Sequence, residues 1–147
     1  MGMVYAEIEL INSGDQEMAR RYIIGEEEVR STRVKMMVDT GSWMMAINES
    51  IQAYLNLPLV YKQTLRMANG EPITRDVVGP VEVRFGERKS NCNAFVLPGD
   101  SEPLLGAIPM EEMDLLIDPK RQQLILNPEY PYNGILRLGR SRPRDIS

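Results

Sequence analysis

Histidine is absent from the 147 residues, and cysteine occurs once, at Cys92. Without an imidazole there is no Ser-His-Asp or Cys-His nucleophile, and no His-containing metal cluster. A single cysteine cannot form an internal disulfide, and this fits a reduced, cytoplasmic setting. Cys92 also has no His to activate it, so it is read as an ordinary strand residue rather than a nucleophile. No apolar run approaches the length of a transmembrane helix, and Met1-Gly2-Met3-Val4-Tyr5-Ala6-Glu7 lacks the pattern of a signal peptide. The net charge of −4 is spread over both signs, which argues for no nucleic-acid partner and no membrane partner. Only the end of the chain is basic, with Arg137, Arg140, Arg142 and Arg144, and it reads as a solvated tail.

The dominant period is two. Val4, Ala6, Ile8 and Leu10 alternate with polar residues in a first predicted strand. Asn12-Ser13-Gly14-Asp15 reads as a turn, Arg20 to Ile24 as a second strand, and Gly25 with Glu26 to Glu28 as a charged turn. Val34, Met36 and Val38 share one face of a strand that runs into Asp39. Asn48 is placed to cap a short helix with Ile51, Tyr54 and Leu55 on one side and Pro58 at its close. Asn48-Glu49-Ser50 also matches a glycosylation sequon, but the cap explains it better. Asn69-Gly70 between two alternating segments predicts a type I′ hairpin. Gly79-Pro80 redirects the chain. Strands follow over Val81–Phe85 and through Phe95, Val96 and Leu97. A loop at Pro98-Gly99-Asp100 then leads to Leu104-Leu105-Gly106 and a short helix opened by Pro109, with Met110 and Met113 on one face. A hairpin around Asp118-Pro119-Lys120-Arg121 ends the regular pattern. The prediction is an all-β domain at residues 1–126 and a less regular tail at 127–147. The methionines near the motif (Met36, Met37, Met44, Met45) are expected in an adaptable core.

The chemistry concentrates at Met36-Met37-Val38-Asp39-Thr40-Gly41-Ser42. A carboxylate at the end of an apolar strand is costly unless it is hydrogen-bonded or functional, and the following Gly permits a tight turn. With no imidazole in the chain, Asp39 is the natural group to do acid–base work.

Together, Val38-Asp39-Thr40-Gly41-Ser42, the Asn69-Gly70 hairpin and Leu104-Leu105-Gly106-Ala107-Ile108-Pro109-Met110 resemble the retropepsin-like aspartic proteases, in particular their small bacterial members. The resemblance spans about residues 29–126. It implies a closed β-barrel subunit with one or two short helices, and an aspartic endopeptidase that needs no cofactor or metal. One Asp-Thr-Gly per chain implies a homodimer acting on peptide or protein substrates, with Asp39 supplied by each subunit. It further implies that Thr40 cross-links the two loops, that Gly41 lets its amide approach Asp39, and that Ser42 donates to the Asp39 carboxylate. Met67, Ala68, Asn69, Gly70 and Glu71 would form a flap over substrate. Leu105 and Gly106, grouped with the substrate-binding residues, would form a strand beneath Asp39. The alternative is an idle β-barrel module that dimerises or holds a peptide without cutting it.

Overall fold

The computed structural model describes residues 3–128. Most elements are strands: β1 (Tyr5–Asn12), β2 (Ser31–Val38), β3 (Met45–Asn48), β4 (Leu59–Arg66), β5 (Pro72–Phe85), β6 (Arg88–Leu97), β7 (Leu104–Leu105), β8 (Leu115–Asp118) and β9 (Gln123–Leu126). Three short helices interrupt them: α1 (Ser13–Arg20), α2 (Glu49–Leu55) and α3 (Ala107–Glu112). β1 to β7 form one sheet in the order β1-β2-β7-β3-β6-β5-β4, and β1 also pairs with β5. β8 and β9 form a separate hairpin. The alternation of β1 puts Ala6, Ile8 and Leu10 in the core with Met36, Met45, Ile47, Val83 and Leu105. Each of the larger side chains among them, fully buried, contributes roughly 1.5–3 kcal/mol. Of the four methionines near the motif, Met36 and Met45 are wholly buried, while Met37 and Met44 are half-buried.

The segment after β1 departs from the sequence reading. Residues 13–20 are helical, not a turn, and 20–24 are not a strand. The Asn12 side chain accepts the Asp15 N–H and so caps α1, and the Gln-Glu-Met-Ala-Arg run that follows favours helix. The helix ends in a Schellman pair, Ile23 N–H to Met18 O and Tyr22 N–H to Ala19 O. Tyr22 takes the left-handed position there, with φ 62°, where glycine is the usual occupant. The expected charged turn at Glu26–Glu28 is a single 3₁₀ turn.

Two turns also differ in detail. Asn69 does not adopt positive φ and Gly70 does, at 88°, so the hairpin is not type I′. Gly70 N–H bonds Met67 O while Met67 N–H bonds Glu71 O, the pattern of a three-residue loop with a bulged glycine. Gly79-Pro80 does not end a strand. β5 runs through it with a register shift between Val78 and Val81, and its neighbour changes there. The residues before the shift pair with β4, and those after it pair with β1. The helix expected at Asn48 is present, capped by its Oδ1 on Ile51 N–H, although Tyr54 faces solvent. The expected tail lies almost wholly outside the described residues.

Candidate active site

Asp39 follows directly on β2 and is tied down by its backbone. Its N–H donates to Leu105 O at 2.9 Å, which extends the parallel pairing of Val38 with Leu105 by one bond. Its carbonyl accepts the Ser42 N–H at 3.1 Å and closes a tight turn over residues 39–42. Within that turn the Gly41 N–H donates to Asp39 Oδ1 at 3.0 Å. A Cβ on Gly41 would stand 3.3 Å from the same oxygen. Gly41 thus brings a backbone amide onto the carboxylate.

Ser42 behaves differently. Its hydroxyl donates to Met44 O at 2.9 Å, not to Asp39. Here it braces the loop and leaves the carboxylate to Gly41. Thr40 is exposed, as is Gly41, while Asp39 and Ser42 are half-buried. The acid therefore sits at an open surface. A cavity of about 390 Å³ elsewhere, lined by Gln16, Arg20, Glu26 and Arg84 among others, includes no residue of the 39–44 loop.

Leu105 and Gly106 lie beneath Asp39, both buried, and support the loop. A Cβ on Gly106 would fall 2.4 Å from Met44 O and 2.8 Å from Ser42 O, so only glycine fits. Sequence reasoning missed the rest of this support. The start of α3 staples the loop from below through Ala107 N–H to Ser42 O at 2.7 Å and Ile108 N–H to Trp43 O at 3.0 Å. Such backbone bonds leave no residue-type signal beyond the glycine that allows the close approach.

The Met67–Glu71 loop tops the β4–β5 hairpin, and all five residues are exposed. Almost all of β4 is exposed too, with Leu59, Val60 and Tyr61 among its apolar side chains. Among the described residues no three His, Cys, Asp or Glu side chains gather as a metal group. No helix among them is long and apolar enough to cross a membrane.

A strand-borne Asp-Thr-Gly turn seated on a second strand–glycine–helix element defines a class of mostly-β acid proteases, and solved structures agree on the fold. The chain is similar to a retropepsin-like aspartic protease from Rickettsia conorii, at 22% identity, TM-score 0.54, covering 84% of this chain and 80% of that one. It is similar also to the retroviral protease-like domain of Ddi1 from Leishmania major, at 14% identity, TM-score 0.54, covering 87% and 90%. No curated protein sequence matches the chain. The family model for aspartyl protease matches residues 26–108, and the chain belongs to that family.

Proposed function

We propose that this protein is an aspartic endopeptidase of retropepsin type, a closed-barrel subunit whose active centre is completed by a second copy. The observation that carries the reading is the Asp39 turn. It presents one carboxylate at an open surface, holds it by the Gly41 amide, and fixes it from beneath through Leu105, Ala107 and Ile108.

One carboxylate is half of what the chemistry requires. Two carboxylates about 3 Å apart cannot both ionise, so one keeps a proton and acts as acid while the other acts as base. With Asp39 of the partner subunit alongside, the ionised member takes a proton from a water lying between them. That water attacks the scissile carbonyl, and the protonated member donates to the departing amide. No covalent intermediate forms, which suits a chain without histidine. Thr40, exposed beside the acid, is positioned to meet its counterpart across the two-fold axis. The β4–β5 hairpin with Met67, Ala68, Asn69, Gly70 and Glu71 serves as the flap that excludes water over a bound peptide. A reducing, cytoplasmic setting suits this reading, since Cys92 has no partner for a disulfide within the chain.

The exposed β4 edge favours a second reading, in which an extended peptide adds to the sheet and is held without being cut. Cleavage of a diverse peptide library between about pH 3 and pH 8, compared for wild type and Asp39→Asn, separates the two. The protease reading predicts turnover that Asp39→Asn abolishes with fold and solution mass intact. Peptide binding without turnover in the wild type supports the second.

A further inference from the structure

Arg88 is a charged side chain on the inward face of a strand. It opens β6, is 5% exposed, and alternation places it on one face with Ser90, Cys92 and Ala94. A buried cation is costly unless its donors are engaged. Arg88 Nη1 donates to Met113 O at 2.7 Å and to Asp114 O at 3.1 Å, the two carbonyls that follow α3. Two residues on along the same face, the Ser90 hydroxyl donates to the Glu112 carboxylate in the last turn of α3. β6 thus grips one end of that helix.

The other end holds the Asp39 loop. Leu105 O, Ala107 N–H and Ile108 N–H bond Asp39, Ser42 and Trp43 in turn. α3 is six residues long, about 9 Å, so the grip of β6 lies only that far from the loop. The loop then runs into β3, whose Met45 pairs with Ala94 of the same β6. Loop, α3 and β6 therefore close a ring, and Arg88 with Ser90 is its polar joint.

We infer that Arg88, seconded by Ser90, is a positioning residue for Asp39. It fixes the rear of α3, and the helix carries that constraint to the underside of the loop. Without the joint, α3 is free to shift along β6 and take the Ala107 and Ile108 amides with it. For its effect on turnover the inference rests on the protease reading, in which two carboxylates meet about 3 Å apart. Reacting groups displaced by about 1 Å lose on the order of a hundredfold in rate.

The experiment compares Arg88→Met, Arg88→Lys and Asn12→Ala at a temperature where each is folded. Asn12→Ala is the control, since it also removes buried bonds at a helix but joins α1 to α2 instead. Peptide cleavage gives kcat and KM, and NMR follows hydrogen exchange of the Ala107 and Ile108 amides. Arg88→Met should lower kcat about tenfold or more with KM within about twofold of wild type. Its two amides should exchange about tenfold faster than those of Asn12→Ala. Arg88→Lys replaces the fork by one ammonium and should show both changes at about threefold, which carries the test if Arg88→Met does not fold. Ala107 and Ile108 amides as protected as in Asn12→Ala, in either Arg88 variant that folds, overturn the inference and leave the protease reading standing. A wild type without turnover overturns the protease reading, and amide exchange then decides by itself whether Arg88 holds the loop.

Discussion

Gly106 and Gly41 are small for different reasons, and substitution separates them. A methyl group at Gly106 meets backbone, Met44 O at 2.4 Å, which cannot swing aside. Gly106→Ala is expected to cost about 1–3 kcal/mol in thermal or urea unfolding and to displace the Asp39 loop. At Gly41 the nearest atom is the Asp39 carboxylate itself, at 3.3 Å, so Gly41→Ala should leave stability almost unchanged and reduce turnover. Ser42→Ala removes the brace to Met44 O and should lower stability by about 1 kcal/mol. Since that hydroxyl does not reach Asp39, the acid limb of the pH–rate profile should stay where it is. A shift of that limb to higher pH would return Ser42 to the carboxylate. Cys92 offers a separate check. Burial, aided by the Glu112 charge, pushes its thiol up to about 12. Below about pH 8.5 the thiol is protonated in both folded and unfolded chains. As pH rises from there towards the folded value, the unfolded chain ionises first and the fold loses stability. Labelling by a disulfide reagent at mildly alkaline pH should be slower in the folded protein than in urea, by about tenfold or more.

At the scale of elements, buried asparagines join helices to distant chain. Asn48 Oδ1 caps α2 at Ile51 N–H, and its Nδ2 donates to Ser101 O at 2.9 Å. Asn12 caps α1 and donates through Nδ2 to Leu55 O at 2.8 Å, the last residue of α2. Asn48→Ala should lower stability by about 1–2 kcal/mol by losing both bonds, which chemical denaturation would measure. The Asn48 cap was legible in the sequence because the apolar spacing after it fits a helix. The Asn12 cap was not. Asn-Ser-Gly-Asp is equally good turn chemistry, and Tyr22-Ile23-Ile24 after it has strong strand propensity. The bond from the Asn12 amide to Leu55, 43 residues on, adds to the local cap and leaves no local signal. The same limit applies to the site. Asp39, Thr40 and Gly41 form a local turn and could be read from four residues. The partner of Ser42 could not, because its hydroxyl can reach either a carboxylate three residues back or a carbonyl two residues on and the sequence does not choose between them, whereas the start of α3 comes under the loop only when β7 inserts between β2 and β3. Asn69-Gly70 marked the hairpin correctly and its turn type wrongly, since a three-residue loop needs positive φ only at the glycine.

At the scale of the molecule, the strand alternation and the order Asp-Thr-Gly, hairpin, strand–glycine–helix located the fold, because each element packs against neighbours that the pattern itself supplies. The proposed assembly would draw on a surface left open by the single chain, with Asp39 as the group that connects the two. The most direct measurement mixes wild type with Asp39→Asn subunits at constant total protein, allows them to exchange, and follows total peptide cleavage. If every active centre needs Asp39 from both copies, activity falls as the square of the wild-type fraction, to about one quarter at an equal mixture. Activity that falls only in proportion, to about one half, would mean that each chain cuts with its own acid alone and would contradict the account.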